Sequence, residues 1–387
     1  MSGTENLGRR LRLGMVGGGR DAFIGGVHRI AARIDDRYEL VAGALSSSPD
    51  KAKASGADLL LAADRAYGSY EEMAKAEAAR DDGIDAVAIV TPNHAHFGPA
   101  KAFLDAGIHV ICDKPLTTTL EDAKALQAAV ESSGLVFGLT HNYTGYPLVR
   151  HAREMVAAGE LGRIRVIQAE YPQDWLSTRL EDDGVKQAEW RTDPSRSGPA
   201  GCVGDIGTHA YNLARFITGL ELEEIAADLH TFVDGRELDD NAHMMLRFAG
   251  GARGMLWSSQ VAPGNENALR IRIYGEQGGL VWDQENPNLL THSPLGEAPR
   301  ILRRGGPGLG AAAEHASRTP PGHPEGYLEG FAQLYTALAD QISAHISGGD
   351  ADPLAMTVPT VADGVDGVRF ITRAVESSRA GGSWLRF

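Results

Sequence analysis

The sequence predicts a two-domain protein, in which an α/β domain with a parallel sheet is followed by an α+β domain with a largely antiparallel sheet. The 387 residues exceed what one hydrophobic core usually serves. Up to about residue 141, short apolar runs alternate with helical patterns, which is typical of a parallel sheet covered by helices on both faces. After that point, strand-like runs follow one another across short turns, and this rhythm favours an antiparallel sheet.

The first domain, 11–141, is predicted from the spacing of its apolar residues. Its strand-length runs are rich in branched residues and almost continuously apolar, as strands buried on both faces must be. The predicted strands are 11–16, 38–45, 84–90, 108–113 and 135–140, and the predicted helices are 24–35, 70–80, 96–106 and 120–132. Thr118 and Glu121 have the spacing of a capping box at the start of the last of these helices.

The second domain, 142–387, is predicted to contain early helices, a series of strands and two closing helices, which are candidates for packing back on the first domain. The predicted elements are helix 146–158, a strand from residue 163, helix 207–217, strands 224–233, 242–248, 252–261, 268–275 and 279–283, and helices 327–346 and 358–378. A long loop precedes Gly204, and segment 293–324, rich in Gly, Pro and Arg, predicts an exposed excursion.

Charge and composition exclude several classes of function. A net charge of −14 without any Lys/Arg-rich run disfavours a nucleic-acid partner. The two cysteines, Cys112 and Cys202, are too few for a disulfide framework and lack zinc-site spacing, which indicates a reducing compartment. The longest apolar stretches have strand length, so the sequence predicts no membrane span.

Residues 1–10 are predicted to be a disordered polar tail. Arg9 and Arg10 superficially match a twin-arginine export signal, but Arg12 interrupts the apolar run that such a signal needs. The sequence therefore favours a cytoplasmic protein.

A glycine-rich turn after the first strand predicts a dinucleotide site. Gly17 and Gly19 fit the first two positions of G-x-G-x-x-G, and Gly25 is the best match for the third, three residues late. Glycines at a strand-to-helix turn let the backbone approach a pyrophosphate, and the helix start supplies N–H donors. A tight structural turn is the alternative, but the position after the first strand of a strand–helix series favours the dinucleotide.

The late third glycine leaves residues 20–22 as an inserted bulge, with Phe23 and Ile24 in a position to cover the cofactor. The second strand ends in serines, of which Ser46 and Ser47 are the candidate ribose contacts. A carboxylate there would select NAD and a nearby arginine would accept NADP. Since neither is present and serines can serve either ribose, NAD and NADP both remain open.

Three motifs together resemble the Gfo/Idh/MocA family, named for glucose-fructose oxidoreductase and inositol dehydrogenase. They are TPNHAH at 91–96, the pair Lys114–Pro115, and GDIGTHAYNLARFITG at 204–219. The resemblance covers nearly the whole chain. It implies an N-terminal Rossmann domain, a C-terminal domain with an open, mostly antiparallel sheet, and oxidation or reduction of sugars and polyols with NAD(P). The family tripeptide is Glu-Lys-Pro, and this chain has Asp113 at the first position.

Lys114 is the central catalytic candidate. It follows an apolar strand, and open α/β sheets bind ligands at the carboxyl ends of their strands. Pro115 restricts Lys114 to extended backbone, and the resemblance implies a cis bond between them. The ammonium group would hydrogen-bond the reacting hydroxyl and stabilise the developing alkoxide.

Asp205 and His209 are the candidate partners from the second domain. Four residues separate them, so one helical turn would place both on one face. A neutral imidazole can accept a hydroxyl proton, and Asp205 can bind a sugar hydroxyl or orient the imidazole. The alternatives are that Asp205 only caps the helix and that His209 only packs. Which of Lys114 and His209 carries the proton stays open.

The resemblance also implies contacts around this centre. The candidate cofactor contacts are Gly17, Gly19, Phe23, Ile24, Ser46, Ser47, Thr91, Asn93, His96, Asp113, Lys114 and Asn142. The candidate substrate contacts are Lys114, Tyr143, Gln173, Asp174, Trp175, Arg191, Asp205, His209 and His323, with Tyr327 nearby. For His96 the alternative is an ordinary first helical turn, and for residues 173–175 and Arg191 it is an exposed loop. No histidine or cysteine cluster has metal-ligand spacing, so no metal is predicted.

Three functions follow from these motifs. The first is a dehydrogenase that moves a hydride between a sugar, glycoside or polyol secondary alcohol and nicotinamide. The alternative is a glycoside hydrolase that uses bound NAD catalytically, through transient oxidation at C3 and elimination; the stretches YPQDW (171–175) and WRTDPSRSG (190–198) resemble pyranoside-acting members. The third is a cofactor-binding regulator without turnover. The expected partners are a small carbohydrate and further copies of the chain, paired through the C-terminal sheet.

Overall fold

The computed structural model describes residues 7–387, which divide into two compact units. The first unit holds the chain up to Gly145 together with Tyr327–Val365, and the second holds Tyr146–Gly326 and Asp366–Phe387. Both units are therefore discontinuous in sequence, whereas the sequence predicts a single domain boundary between residues 141 and 142.

The described residues form the following elements. The strands are β1 Leu11–Gly17, β2 Tyr38–Ala44, β3 Ala86–Val90, β4 His109–Cys112, β5 Phe137–Leu139, β6 Ile164–Pro172, β7 Leu222–His230, β8 Asn241–Phe248, β9 Arg253–Ser259, β10 Arg270–Gly275, β11 Gly278–Asp283, β12 Leu289–Pro294, β13 Arg300–Arg303 and β14 Leu385–Arg386. The helices are α1 Phe23–Ile34, α2 Pro49–Asp58, α3 Tyr70–Ala78, α4 Phe97–Asp105, α5 Leu120–Ser133, α6 Pro147–Ala157, α7 Lys186–Arg191, α8 Pro194–Ser197, α9 Thr208–Thr218, α10 Ala311–Ala316, α11 Tyr327–Ser347 and α12 Val361–Arg379.

The first unit is built on a parallel sheet. Across residues 7–387, its strand order is β2-β1-β3-β4-β5, and each neighbouring pair is parallel. The strand order changes direction between β1 and β3, which is where open α/β sheets bind ligands. The predicted strands and helices are all present. The sequence pattern does not predict helix α2, because PDKAKASGAD lacks the large apolar residues that make a helical period visible.

Helix α11 contributes to the core of the first unit. Its Phe331, Leu334 and Leu338 belong to the same buried cluster as Leu13 and Met15 of β1. Burial of apolar side chains in this cluster is the main stabilising contribution to the unit. Helix α11, which begins at residue 327, therefore packs in the core beside the parallel sheet.

Several histidines in the first unit are buried in the neutral state. Burial lowers the pKa of His28 and His109 to about 4 and that of His141 to about 3. The Nδ1 atom of His28 lies 2.8 Å from the hydroxyl of Tyr335. These imidazoles stay neutral in the fold, whereas the unfolded chain protonates its histidines below a pH of about 6.5.

We expect the free energy of unfolding to decrease as the pH is lowered from about 6.5 to 5. The unfolded state then binds protons that the folded state does not, and the slope approaches about 1.4 kcal/mol per pH unit for each such histidine. Urea titrations at several pH values measure this slope. A free energy of unfolding independent of pH over this range contradicts the expectation.

The second unit is built on a larger, mixed sheet. Among the described residues its order is β13-β12-β11-β10-β6-β9-β8-β7-β14, with β6 and β9 parallel and the other pairs antiparallel. Helices α6 and α9 pack on one face of this sheet. The opposite face carries exposed apolar side chains, so the sheet is open on that side.

Segment 293–324 is largely exposed, as predicted, but it contains regular structure that its composition does not indicate. It completes β12, contains β13 at the edge of the mixed sheet, and includes α10, which packs against α6 through buried alanines. Arg304, which is 3% exposed, forms an ion pair of 3.0 Å with Glu325. The composition of this segment is typical of a loop. The buried arginine and its carboxylate partner nevertheless hold the segment in one conformation.

The N-terminal tail was predicted for residues 1–10, of which 1–6 lie outside the described residues. Residues 7–10 are tied to the first unit, since Arg9 pairs with Asp85 at 2.6 Å and Arg10 pairs with Asp36 at 2.8 Å. Leu7 packs against the core. The predicted tail is therefore wrong for residues 7–10.

The capping box of α5 is shifted by one residue from its predicted place. Thr119, not Thr118, is the N-cap, and its hydroxyl oxygen accepts the backbone N–H of Asp122. No helix in the described part of the chain combines the length and apolarity that a membrane span requires.

Candidate active site

The turn after β1 has the close packing that a dinucleotide cradle requires. Gly17 and Gly18 have φ values of 79° and 71°, which L side chains rarely adopt. A Cβ atom on Gly19 would lie 2.5 Å from the carbonyl oxygen of Leu45. A Cβ atom on Gly25 would collide with the backbone of Gly18. The glycines thus let β1, the end of β2 and α1 approach one another closely.

The N-terminus of α1 can receive an anion. Its first turn contains no acidic residue, and the N-cap Ala22 provides no side-chain cap, so the N–H groups there can donate to phosphate oxygens. Phe23 is 67% exposed at this end, and Ile24 packs against the core cluster. The residues present therefore fit a dinucleotide pyrophosphate.

The inserted bulge is held by α2. Asp21, with a φ of 62°, pairs with Lys51 at 2.8 Å, and Arg20 pairs with Asp58 at 2.5 Å. The hydroxyl of Ser55 accepts the backbone N–H of Arg20. The extra residues therefore extend toward α2 and leave the packing of Gly25 on Gly18 intact.

We expect Gly25→Ala to weaken NADH binding about tenfold or more, because overpacking of this kind costs roughly 1–3 kcal/mol. Gly26→Ala is the matched control, since a Cβ atom there would meet only the guanidinium of Arg29, 4.0 Å away. Fluorescence titration with NADH measures both dissociation constants. Equal constants for the two variants would mean that the Gly18–Gly25 contact does not shape the cofactor site.

The end of β2 presents hydroxyl groups and neither a carboxylate nor an arginine. Ser46 accepts the backbone N–H of Ser48 at 3.2 Å, and Ser47 is exposed. Ser48 is the N-cap of α2. Both predicted ribose contacts thus lie at the carboxyl end of β2, on the side where the glycine turn also lies.

The segment after β3 contains Thr91, Asn93 and His96. The hydroxyl of Thr91 donates to the carbonyl of Ala95 at 2.8 Å, and Asn93 begins a short 3₁₀ turn. His96 is fully buried, with Nδ1 2.8 Å from the carbonyl oxygen of Pro115 and Nε2 2.9 Å from that of Thr91. Both ring nitrogens of His96 thus face backbone carbonyl oxygens, and its contact with the cofactor stays a prediction.

Lys114 lies directly after β4, and the Lys114–Pro115 peptide bond is cis. One carboxylate oxygen of Asp113 accepts both the backbone N–H of Lys114 at 2.9 Å and the hydroxyl of Thr140 at 2.8 Å. The backbone N–H of Asp113 donates to Ile89 of β3. Asp113 therefore holds the chain at the end of β4 and connects it to the chain after β5.

Asn142 and Tyr143 follow β5 in a short 3₁₀ turn. Both are buried, and the Nδ2 atom of Asn142 has no hydrogen-bond partner within residues 7–387. A buried amide donor without a partner normally loses about 1–3 kcal/mol. The Nδ2 group is therefore suited to donate to a bound ligand, as the sequence reading predicted for the cofactor.

In the second unit, Asp205 lies within a single π turn, Val203–Gly207, immediately before α9. Such turns are frequent at functional sites. The Oδ2 atom of Asp205 accepts from Arg191 Nε at 3.1 Å and from Gln260 Nε2 at 2.9 Å. No side chain caps α9. The possibility that Asp205 only caps this helix is therefore wrong.

The π turn is fastened by Asp239. One carboxylate oxygen of Asp239 accepts the N–H of Gly201 at 2.6 Å, and the other accepts the N–H of Val203 at 3.0 Å and the thiol of Cys202 at 3.1 Å. Burial raises the pKa of Asp239, and these hydrogen bonds oppose that shift. Asp239 thus fixes the chain immediately before Asp205.

His209 lies in the first turn of α9 and is 8% exposed. Its ring contacts that of Tyr171, with the centroids 6.3 Å apart. The Tyr171 hydroxyl and the Gln173 amide both donate to Asn267 at 2.7 Å, and Trp175 donates to Gln173 at 3.0 Å. Gln173 and Trp175 therefore belong to one chain of hydrogen bonds that ends at Tyr171, whose ring contacts His209.

Arg191 lies between aromatic rings. Its guanidinium carbon is 4.2 Å from the ring centroid of Trp190 and 5.8 Å from that of Trp175. Together with the Asp205 ion pair, this arrangement joins Arg191, Trp175 and Asp205 in one cluster. Loop 173–204 thus supplies ordered polar and aromatic groups, partly within α7 and α8.

Two predicted substrate contacts have other partners. The carboxylate of Asp174 accepts the backbone N–H of Gly264 at 3.0 Å. His323 lies in an exposed turn before α11 rather than within it; its Nδ1 is 3.4 Å from the carbonyl of Pro320, and its own carbonyl accepts from Arg304. Both side chains thus have roles in local structure.

Gln260, Asn267 and Asp239 were not identified from the sequence. Gln260 follows β9, Asn267 precedes β10, and Asp239 precedes β8. None of them belongs to a local motif, so sequence spacing gave no signal. Within residues 7–387, no group of three or more His, Cys, Asp or Glu side chains could hold a metal ion.

Comparison with known proteins identifies both parts of the chain. Residues 11–141 match the oxidoreductase family with an NAD-binding Rossmann fold, and residues 149–281 match the GFO/IDH/MocA C-terminal domain. An oxidoreductase from Sinorhizobium meliloti has a similar structure, with a TM-score of 0.89 and 55% identity over 97% of this chain and 99% of that chain.

Two further relatives have named ligands or activities. An inositol dehydrogenase homologue from Azotobacter vinelandii, complexed with NADH and myo-inositol, has a TM-score of 0.91 and 35% identity over 100% of both chains. Levoglucosan dehydrogenase from Pseudarthrobacter phenanthrenivorans is 31% identical over 73% of this chain and 76% of its own. With its NAD-binding Rossmann domain and mixed-sheet domain, the chain belongs to the Gfo/Idh/MocA family of NAD(P)-dependent oxidoreductases.

Proposed function

We propose that the protein oxidises a secondary alcohol of a sugar, glycoside or polyol with NAD, and that Lys114, Asp205 and His209 act on the substrate. The observation that carries this proposal is the environment of Asp205. Its carboxylate is held by Arg191 and Gln260 in a π turn, one turn before His209. A carboxylate fixed in this way accepts hydroxyl groups without losing its orientation.

The polar and aromatic composition of this cluster supports a polyhydroxylated substrate. Recognition of a sugar needs an apolar surface together with a few convergent polar groups. Trp175 and Trp190 supply the apolar surface around Arg191, while Gln173 and Asn267 supply side-chain amides that are held by hydrogen bonds. The relatives that act on or bind levoglucosan and myo-inositol support the same substrate class.

Each residue has one task in the proposed reaction. The nicotinamide cofactor, when bound, would supply the acceptor for the hydride of the alcohol carbon. Lys114 donates a hydrogen bond to the reacting oxygen and stabilises the negative charge that develops there. The imidazole of His209 accepts the hydroxyl proton, so a carbonyl product, a protonated histidine and a reduced cofactor result.

The cofactor-binding residues proposed for this reaction lie around the carboxyl ends of β1–β5. The glycine turn and the start of α1 would receive the pyrophosphate. Ser46 and Ser47 would bind the adenosine ribose, and because a hydroxyl group can serve either form of the ribose, the proposal extends to NADP. Asn142 would donate its unpartnered Nδ2 hydrogen to the cofactor.

An assay with NAD and a panel of inositols, aldoses, levoglucosan and aryl glycosides tests the proposed function. We expect NADH in stoichiometric amounts with the oxidised product. Release of the aglycone without net NADH would instead identify the glycoside hydrolase that works through transient oxidation. Neither product from any substrate, with NADH binding intact, would favour a regulator and reject both enzymes.

We also propose that copies of the chain associate through the open face of the mixed sheet. Met245 and Met255 are paired across β8 and β9, and Val166 and Tyr274 are paired across β6 and β10 on the same face. All of them are at least 38% exposed. Several exposed apolar side chains on one sheet face favour a protein partner, and light scattering in solution measures the resulting mass.

A further inference from the structure

His96 is completely buried immediately before α4, where it meets two segments that follow neighbouring strands. Its Nδ1 lies 2.8 Å from the carbonyl oxygen of Pro115, and its Nε2 lies 2.9 Å from the carbonyl oxygen of Thr91. Thr91 follows β3, and Pro115 follows Lys114 after β4. One imidazole therefore spans the ends of both strands.

The chemistry of the ring matches this position. Carbonyl oxygens only accept hydrogen bonds, and a neutral imidazole has a single N–H group, so the bond to Pro115 is donated by the tautomer that carries its hydrogen on Nδ1. Burial lowers the pKa of His96, while the negative charge of Asp113 and the two carbonyls oppose that shift. The carbonyl oxygen of Pro115 accepts in this contact, and loss of a partner by a buried carbonyl destabilises the folded chain.

The chain around Lys114 is held from two sides. Asp113 accepts the backbone N–H of Lys114 at 2.9 Å, and His96 reaches the carbonyl of Pro115, the next residue. The two bonds lie on either side of the Lys114 Cα atom along the chain. They restrict the direction in which the lysine side chain leaves the backbone.

We propose that His96 is a positioning residue for Lys114, acting through the hydrogen bond from Nδ1 to the carbonyl of Pro115. This inference rests on the proposed function, because it assigns His96 to the reaction that Lys114 serves. Precise placement matters there, since a displacement of about 1 Å can lower turnover roughly 100-fold. His96 therefore affects the chemical step through the backbone beside Lys114.

Three substitutions distinguish the contributions of the two ring nitrogens of His96. In His96→Asn the amide nitrogen takes the place of Nδ1, in His96→Gln it takes the place of Nε2, and His96→Phe retains neither donor. We expect the Asn variant to keep kcat within about fivefold of the unmodified protein, and the Gln and Phe variants to lose roughly 100-fold. The KM for substrate and the dissociation constant of NADH stay within about threefold in all of them, because no binding contact is removed.

Hydrogen–deuterium exchange gives a readout that does not depend on turnover. Exchange of the peptide 112–118 should accelerate in the Gln and Phe variants and remain unchanged in the Asn variant, while peptides from β1 are unaffected in all three. A purely structural role would make all three variants lose activity in proportion to their loss of thermal stability. Equal kcat and equal exchange in the Asn and Gln variants, or a Gln variant better than Asn, would overturn the proposal. An inactive unmodified protein would reject the proposed function alone, and the exchange data would still decide the role of His96.

Discussion

Replacing Lys114 by Ala is expected to lower kcat about 10²–10³-fold, which is the effect of removing one donor that stabilises a developing oxyanion. The side chain begins at the carboxyl end of β4, beside the cis peptide bond to Pro115. Its backbone is fixed by Asp113, so loss of the ammonium group removes the charge and leaves the neighbouring chain in place. The dissociation constant of NADH should change by only a few-fold, and stopped-flow measurement of the hydride-transfer step separates these two quantities.

Two controls make the Lys114 experiment specific. Lys101→Ala removes an exposed lysine that is paired with Asp105 on α4, and it should leave kcat unchanged. Lys114→Arg keeps the positive charge but replaces a compact ammonium with a planar guanidinium, so it should recover little activity. Near-normal turnover of Lys114→Ala would remove the lysine from the chemical step.

Replacing His209 by Phe is expected to lower kcat by about 10²–10⁴-fold at neutral pH, which is the usual contribution of a positioned general base. The ring size is preserved, so the contact with Tyr171 and the burial of this turn are retained. The expected signature is a change in the pH profile. Because no imidazole then accepts the proton, kcat should rise with hydroxide concentration over the range in which the unmodified enzyme has reached its plateau.

The exposed His230 supplies the control for this substitution. His230→Ala should retain the kcat and the pH profile of the unmodified enzyme. If His209→Phe loses activity but keeps the same profile, His209 has a packing role and another group accepts the proton.

Periodicity was sufficient to predict the strands and most of the helices between residues 11 and 141. Strands such as β3, which is buried along its whole length, must be apolar at nearly every position, and the helices between them repeat on a helical period. Lys114 could be recognised because it follows such a strand. The exception was α2, whose alanines and glycine pack closely without producing an amphipathic pattern.

Long-range contacts explain what the sequence could not predict. Gln260 reaches Asp205 across 55 positions, and Asn267 reaches Gln173 across 94. Arg304 and Glu325 order a segment whose composition indicates a loop. His96 was recognised as part of a motif, but its role depends on a carbonyl group 19 positions away. Such partners are selected by the folded chain and leave no local spacing to detect.

Transfer of deuterium from substrate to cofactor tests the central claim most directly. The best substrate of the panel, deuterated at every carbinol carbon, is incubated with NAD and the protein, and the products are analysed by mass spectrometry. We predict one deuterium in each NADH formed, an equal amount of the ketone or lactone product, and a primary isotope effect on the chemical step. NADH without deuterium, or a released aglycone without accumulated NADH, would contradict the proposed dehydrogenase.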